Sequence, residues 1–512
     1  RPITIAIQAM GGQGGGVLAD WIVGVAEAHG YLAQTTSIPG VAQRTGTTIY
    51  YLEIFPGEAA RKAGKAPVLA LMPSQGDVDL VVGAELMEAV RAVKRGLVTP
   101  NRTTLIASTH RVYAIFEKEQ MGDGILENTK AIEIAEKAAQ KFVYFDMQRV
   151  AELCGSVISA VLLGAVAASG CLPFDRSAFE DAIRRGGIGV DASLKAFAKG
   201  FDQAQKGSEA PSKAKPARPE PNPTDERLKR VLKDAGTRYP QVSHFFVVEG
   251  MRRCSDYLDP RYAEEYVKRL DAVLECDKRN GGEDRAYTLT NETARYLALW
   301  MSYEDTIRVA DLKIRSSRFQ RFRDDVHAQD GQVVYVTEFM HPRIEEICDT
   351  MPVWLGAAIM HSRLLQLPFK PFLKARKVRT ATILGFSMLW VVSRMRRWKR
   401  STYRYKVEME RIQEWLDRVQ KTAATDYALA VEIVRCQRLI KGYSDTHARG
   451  LRNYERIMKM IDGYRGPEVP AEVVRRLRNA ALADEEGGKL EAEVAGLQNN
   501  KATNNAIGSP AA

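Results

Sequence analysis

Five glycines near the N-terminus separate two apolar segments that differ in pattern. The first segment, ITIAIQA over Ile3–Ala9, alternates and is rich in β-branched residues, which predicts a buried strand. The second, VLADWIVGVAEAHG, has the apolar spacing of a helix, and Gly30 is placed to end it. A glycine-rich turn between a strand and a helix often binds phosphate, because backbone N–H groups are free at the helix start.

A P-loop does not fit these glycines. Gly11 and Gly16 have its spacing, but Val17 and Leu18 follow, where the motif requires a lysine and a hydroxyl residue. Nothing is then available to bind the β- and γ-phosphates or Mg²⁺. The sequence therefore disfavours hydrolysis of ATP or GTP at this turn.

A dinucleotide loop fits only in part. Gly14, Gly16 and Ala19 follow the GxGxxA spacing, but the only acid between residues 21 and 52 is Glu27, inside the predicted helix. No carboxylate is placed to bind a ribose hydroxyl, so NAD is disfavoured. The bland alternative is a tight strand–helix turn without a ligand.

Strands and helices alternate over the first part of the chain. Together they predict an α/β fold, a Rossmann-like and mostly parallel sheet with helices on both faces. Further strands are predicted over residues 47–54, 78–83, 103–108 and 142–146, and helices over 85–94, 129–140 and 148–169.

Composition divides the rest of the chain. Residues 206–224 are rich in proline and charge, which predicts an extended linker after the α/β domain of residues 1–205. Residues 225–485 predict a mainly helical domain, with one strand signal, QVVYVTEF, at 332–339. Residues 486–512 predict a disordered tail.

The charge surplus is local. The chain has 74 lysines and arginines and 63 aspartates and glutamates, so the surplus is 74 − 63 = +11. Lys370–Arg404 alone holds eleven basic residues and no acid. This distribution excludes a chain that coats nucleic acid with its whole surface.

Cysteine and histidine usage predicts no metal site. The six cysteines form no CxxC pair, and none of the seven histidines has metal-ligand spacing with another. We expect reduced thiols in a cytoplasmic protein. No apolar run reaches the ~18 residues of a membrane span, and the N-terminal stretch lacks the order of a signal peptide.

Two segments together resemble the γ-type domain of the 2-oxoacid:ferredoxin oxidoreductases. That family has a GxGGQG loop after its first strand and an R-G-G or R-x-G turn before a later strand. GGQG at Gly11–Gly14 and RTG at Arg44–Gly46 match these motifs, although Ala9 or Met10 replaces the first glycine. The resemblance covers residues 3–205. Within the family, VAQRTGTT and the long helical extension are most similar to the small subunit of the indolepyruvate type.

The resemblance implies a 2-oxoacid decarboxylated on thiamine diphosphate, with electrons passed through iron–sulfur clusters to ferredoxin and the acyl group transferred to coenzyme A. The chain has no cluster cysteines. Its GDG at Gly122–Gly124 lacks the later asparagine of a thiamine motif, since no asparagine occurs between Asn128 and Asn222. The resemblance therefore implies a larger partner subunit that carries thiamine diphosphate with Mg and 4Fe-4S clusters, and a hetero-oligomer. No catalytic residue is assigned to this chain.

The resemblance places coenzyme A phosphates at the glycine loop. Arg44 would be the cation that binds these phosphates. An equal alternative is that Arg44 forms a salt bridge that fixes the turn, or contacts the partner subunit. The implied binding residues are Gly11, Gly12, Gln13, Gly14, Arg44, Thr45 and Gly46.

The basic segment Lys370–Arg404 leaves two functions open. One is an electropositive surface that binds the larger subunit or ferredoxin, formed by Arg394, Arg396, Arg397, Lys399 and Arg400. The other belongs to a non-enzymatic nucleotide-binding or scaffold protein, in which the cations of Lys370–Arg379 and Ser393–Tyr405 form a nucleic-acid-binding arm together with Trp398, Tyr403 and Tyr405. The bland alternative is a solvated face around a core helix.

Overall fold

The structure is a computed structural model that describes residues 1–40, 47–113, 117, 122, 124–209, 222–326, 328–374, 376–442, 444–464, 466 and 468–507. These residues divide into two compact units, Arg1–Arg218 and Pro219–Ala512. The division falls within the linker predicted over 206–224, of which residues 210–221 lie outside the described residues. Each unit is described by itself.

The first unit is built on a six-stranded sheet. Its strands are β1 Ile3–Met10, β2 Tyr31–Ile38, β3 Thr47–Pro56, β4 Leu80–Gly83, β5 Thr104–Ser108 and β6 Lys141–Phe145. The order across the sheet is β2-β3-β1-β4-β5-β6. β1, β4, β5 and β6 are parallel, whereas β3 runs antiparallel to its neighbours β1 and β2. The predicted Rossmann-like, mostly parallel sheet is confirmed.

Helices cover both faces of this sheet. The described helices are α1 Gly15–Ala28, α2 Gly57–Ala63, α3 Leu86–Lys94, α4 Asn128–Ala138, α5 Met147–Cys154, α6 Ile158–Ser169, α7 Arg176–Gly186 and α8 Val190–Lys206. Ile5 and Ile7 of β1 belong to one core with α1 and α5 to α8, and Ala6 belongs to another with α3 and α4. Successive residues of a strand point to opposite faces, so β1 is apolar at nearly every position.

Two elements of this unit differ from the sequence prediction. The strand β2 was not predicted, because it lies at the edge of the sheet and its residues are half-buried or exposed and largely polar. The helix predicted over 148–169 is two helices, α5 and α6, and Gly155 between them adopts a left-handed conformation with φ of 64°.

Helices α6 and α8 lie unusually close. A Cβ atom built on Gly164 would lie 2.2 Å from the carbonyl oxygen of Phe197, and one built on Gly200 would lie 2.4 Å from that of Val161. Both distances are far below any real contact, so the absence of a side chain at each glycine permits this crossing. α6 is almost wholly buried as a result.

The second unit is mainly helical, as predicted. Its helices are α9 Glu226–Arg238, α10 Gln241–Tyr257, α11 Pro260–Arg279, α12 Thr288–Met301, α13 Thr306–Lys313, α14 Ser316–Asp325, α15 Ile344–Asp349, α16 Val353–His361, α17 Arg363–Gln366, α18 Ile383–Arg394, α19 Tyr403–Ala423, α20 Tyr427–Cys436, α21 Ser444–Asp462, α22 Pro470–Ala483 and α23 Gly488–Ile507. Short 3₁₀ helices lie at Glu283–Arg285, Leu367–Leu373, Met395–Ser401 and Gln437–Leu439.

The second unit also contains a small sheet. The strand signal at 332–339 corresponds to β7, Thr337–Met340, which pairs antiparallel with β8, Arg376–Arg379. At the C-terminus, where the sequence predicts disorder over 486–512, the structure instead forms α23. Leu490, Val494 and Leu497 of this helix are buried, and burial of these apolar side chains stabilises the helix. The composition of the segment did not indicate this burial.

In the described part of the chain, no single helix has the length and apolar character needed to cross a membrane. α5 and α6 reach that length only as a pair, and they are bent by 119° at their junction.

Candidate functional site

The glycine loop lies where the carboxyl ends of four parallel strands meet. It follows β1 directly, and the chain leaves β4, β5 and β6 at the same edge of the sheet. In open α/β sheets this edge is where ligands bind, because the loops there can be varied without disturbing the core. The predicted glycine residues therefore occupy a suitable position for a site.

The loop is held in shape by two left-handed glycines and one glutamine. Gly12 has φ of 88° and Gly14 has φ of 69°, a region that residues with side chains rarely adopt. The side-chain carbonyl of Gln13 accepts a hydrogen bond from the N–H of Met10 (2.8 Å), and the N–H of Gln13 donates to the carbonyl of Met10 (3.1 Å). Gln13 thus closes the loop onto the end of β1.

Close packing explains part of the glycine cluster. A Cβ atom on Gly14 would lie 2.9 Å from Oγ of Ser159, at the start of α6, and one on Gly15 would lie 2.7 Å from the ring of Tyr50. By contrast, a Cβ atom on Gly12 would meet no atom within 4 Å. Gly11 and Gly12 are exposed, so the open side of the loop is at these two residues.

Two fully buried polar side chains near the loop have no hydrogen-bond partner within the described structure. One is Ser159, through its Oγ. The other is Gln8, on β1 just before the loop, through both the nitrogen and the oxygen of its side-chain amide. Buried polar groups in proteins are nearly always paired, and an unpaired one costs ~1–3 kcal/mol. These groups fit a site that exchanges hydrogen bonds with a bound molecule.

Acidic side chains follow β4 at the same edge of the sheet. Glu85 is fully buried and accepts hydrogen bonds from the N–H groups of Met87 (3.0 Å) and Val112 (3.4 Å). Burial raises the pKa of Glu85 to about 7, so this carboxyl is partly protonated near neutral pH. Burial also raises the pKa of Glu88, which forms an ion pair with Arg91.

Ser108, the last residue of β5, and His110, two residues later, lie at the same edge of the sheet. Oγ of Ser108 accepts a hydrogen bond from the N–H of Met147 (3.0 Å) and lies 2.7 Å from Nδ1 of His110. Burial lowers the pKa of His110, which favours the neutral imidazole. The sequence analysis tested the histidines only for metal-ligand spacing and did not single out His110. Its position just after a parallel strand was the available signal.

The second group of predicted site residues, Arg44, Thr45 and Gly46, lies outside the described residues. The next residue, Thr47, stands opposite Met10 in the register of β1 and β3, and its Oγ accepts a hydrogen bond from Arg91 (2.8 Å). Sequence reasoning missed Arg91, which brings a guanidinium to the start of β3 from a helix far along the chain.

The structure corrects the interpretation of the basic segment. Lys399 is 1% exposed and its Nζ lies 2.8 Å from Oδ2 of Asp305; burial lowers the pKa of this lysine to about 8. Arg396 donates to the carbonyl of Leu258 (2.8 Å), and Arg400 forms an ion pair with Asp259 (2.6 Å). Of the five cations proposed to form one electropositive surface, only Arg394 and Arg397 are exposed.

The same inward pairing extends to the last residue of this segment and to the residue after it. Arg404 forms ion pairs with Glu408 (2.9 Å) and Asp349 (3.3 Å), and Oη of Tyr405 lies 3.3 Å from Glu265. Arg396, Lys399, Arg400 and Arg404, four of the eleven cations of the segment, are thus engaged within the second unit, which weakens the case for a nucleic-acid-binding arm.

No metal centre is found in the described part of the chain: no group of three or more His, Cys, Asp or Glu side chains there could hold an ion. The six cysteines are free, and five of them are buried. Burial raises the thiol pKa of Cys254, Cys276, Cys348 and Cys436, which makes them poor nucleophiles.

Comparison with known proteins matches each unit to a different family. Residues 4–203 match the family described as pyruvate ferredoxin/flavodoxin oxidoreductase, and residues 244–460 match a family of unknown function, DUF6537. The indolepyruvate oxidoreductase subunit IorB of Pyrococcus horikoshii is 27% identical over 218 residues, which is 40% of this chain and 97% of that protein. The subunit of the same name from Thermococcus kodakarensis is 26% identical over 221 residues, again 40% of this chain and 97% of that protein.

Among solved structures, the pyruvate oxidoreductase subunit PORC of Thermotoga maritima is 16% identical and covers 40% of this chain and 96% of that one, with a TM-score of 0.26. The family match over residues 4–203 lies within the first unit, which contains the six-stranded sheet and the glycine loop after β1. Residues 4–203 of the first unit are therefore similar to the pyruvate ferredoxin/flavodoxin oxidoreductase family, and the chain is similar to indolepyruvate oxidoreductase subunits.

Proposed function

We propose that this chain is the non-thiamine subunit of a cytoplasmic 2-oxoacid:ferredoxin oxidoreductase that acts on indolepyruvate or a related arylpyruvate. The family match of residues 4–203 and the names of the two IorB relatives support this proposal. Thiamine diphosphate and iron–sulfur clusters would supply the decarboxylation and the electron transfer to ferredoxin. The sequence has neither a thiamine motif nor cluster cysteines, so a larger partner subunit would carry both.

The task of this chain at the glycine loop would be to bind the pyrophosphate of coenzyme A. The observation that carries this assignment is the loop itself: Gly12 and Gly14 are left-handed, and Gly11 and Gly12 are open to solvent at the start of α1. The first N–H groups of a helix have no partner within it, and the helix dipole favours an anion there.

Groups around the loop fit the same ligand. Ser159 brings an unpaired hydroxyl to within contact of Gly14. Thr47 pairs with Met10 on the adjacent strand and accepts a hydrogen bond from Arg91. Arg44 precedes Thr47 by three residues in the sequence. A guanidinium binds phosphate through paired hydrogen bonds, so we assign Arg44 to the anion.

The test compares Gly12→Ala with Gly64→Ala in the complete enzyme. Both glycines have positive φ, and neither has an atom within 4 Å of a built Cβ, so the two substitutions carry a similar conformational cost. Only the methyl group at residue 12 would stand on the open side of the loop. We expect the apparent KM for coenzyme A to rise about tenfold in Gly12→Ala, with a smaller change in kcat, and to stay unchanged in Gly64→Ala.

Equal KM values in the two variants would mean that the loop is a structural turn. Gly14→Val is a poorer test, because a side chain at residue 14 would collide with Ser159 whether or not a ligand binds.

A further inference from the structure

Helix α18 presents most of its apolar surface to solvent. Only Gly385, Leu389 and Ser393 are buried, a single narrow stripe at four-residue spacing. Ile383 and Leu384 are 89% and 85% exposed. The other large apolar side chains exposed on this helix are Phe386, Met388, Trp390 and Val391. A contiguous exposed apolar surface of this kind marks an interaction site in soluble proteins.

Two cavities flank the helix. One, of about 670 Å³, lies toward the small sheet and is lined by Leu384 and Met388 together with Phe339 of β7. The other, of about 620 Å³, lies toward α14 and is lined by Ile383 and Phe386. The helix is therefore an apolar ridge between two grooves.

Every charged side chain that lines either cavity is a cation. Lys377 and Arg379 of β8 line the first, and Arg323, which lies 4.0 Å from Asp330, lines the second. Within the described residues, Lys377, Arg379 and Arg394 form no salt bridge, although Lys377 and Arg394 stack on aromatic rings of the same surface. Lys377, Arg379 and Arg394 thus lie beside the apolar ridge.

We propose that this α18 surface docks a protein whose contact segment carries apolar side chains flanked by carboxylates, and that the protein is the larger, thiamine-bearing subunit. The choice of subunit rests on the proposed function. The choice of chemistry rests on complementarity: unpaired cations around an apolar centre select an anionic and apolar occupant. Anionic lipid shares that chemistry, but a bilayer accommodates a protruding apolar helix and does not fill two concave grooves, whereas protein side chains do.

The test measures binding of the full-length chain to that subunit, with hydrogen exchange of the α18 amides in the complex. Ile383→Ser with Leu384→Ser removes two exposed apolar side chains and leaves the buried stripe intact. Val242→Ser with Phe245→Ser, exposed on α10, is the matched control. We expect Kd to rise at least about tenfold in the α18 variant alone, because two side chains of this size lose their burial. We also expect amides 383–394 of the wild-type chain to be protected on binding.

A second pair tests the charges. Lys377→Gln with Arg379→Gln should weaken binding and flatten its dependence on salt, mainly through a slower association rate. Arg230→Gln with Lys233→Gln, exposed on α9, should do neither.

Each other outcome overturns the docking proposal. A complex that forms without α18 protection, and equally well with the α18 variant, rejects the surface and leaves the proposed function intact. Sedimentation of the wild-type chain, but not the α18 variant, with phosphatidylglycerol vesicles makes the surface a membrane contact. Dimerisation of the chain through α18 makes the occupant a second copy. Failure of every variant and the wild-type chain to bind any thiamine-bearing subunit rejects the proposed function as well.

Discussion

At the scale of single residues, Glu85 links the sheet edge to pH. Its pKa of about 7 in the folded chain exceeds the ordinary value of 4.5, because the carboxyl is buried. The folded state thus binds the proton more tightly than the unfolded state does. The contribution of Glu85 to the free energy of unfolding is therefore greatest below about pH 4.5, falls as pH rises to about 7, and is constant above that.

We expect Glu85→Gln to remove this contribution, which amounts to ~1–3 kcal/mol between the two limits. The glutamine carbonyl can still accept the hydrogen bonds from Met87 and Val112, so the local structure should persist. Calorimetric unfolding of the full-length chain between pH 5 and 8 measures the effect. Glu133→Gln, on the exposed side of α4, is the control, and an identical pH dependence in both variants would contradict the assignment. The pKa of His110 is lowered, so its contribution to the free energy of unfolding rises with pH instead of falling. That contribution is the same in the Glu85→Gln and Glu133→Gln variants, because both retain His110.

At the scale of elements, the crossing of α6 and α8 depends on glycine. A methyl group on Gly164 would lie 2.2 Å from the carbonyl oxygen of Phe197, an atom fixed in the backbone of the partner helix. We expect Gly164→Ala to destabilise the chain by about 1–3 kcal/mol, because the helices must separate to admit it. Gly24→Ala, within α1, has no atom within 4 Å of the added group and should be neutral or stabilising by up to about 1 kcal/mol.

Thermal unfolding compares these two variants. Equal stability would show that α6 and α8 can move apart without cost. The start of α6 carries Ser159, so a shifted crossing should also raise the apparent KM for coenzyme A if the proposed function holds.

At the scale of the whole molecule, the chain should be incomplete as an enzyme. Its sequence has no thiamine motif and no cluster cysteines, although residues 4–203 match an oxidoreductase family. We expect the purified chain to be colourless and inactive toward arylpyruvates. Co-expression with a thiamine- and cluster-bearing subunit should give a brown, stable complex that reduces ferredoxin in the presence of coenzyme A. Thiamine-dependent decarboxylation by the purified chain alone would refute this prediction.

The sequence by itself determined the features that depend on neighbouring residues. Alternation and β-branched residues predicted β1, β4, β5 and β6 closely, and the glycine cluster predicted the loop after β1, because strands and turns of this kind are set by local pattern. The same reasoning located the helical second unit. It missed β2, whose polar edge position weakens the pattern.

Only the tertiary structure decided which side chains are buried and what they meet. Nothing in the sequence around Glu85 indicates that its pKa is raised. From the sequence, Lys399 and Arg400 are predicted to be solvated cations, but in the structure they form ion pairs with Asp305 and Asp259. The same holds for Ile383, which looks like part of a buried helix but is exposed. Burial and ion pairing involve residues that are far apart in the chain. The free energy of a charged group depends on the atoms around it in space, so it cannot be read from its neighbours in the sequence.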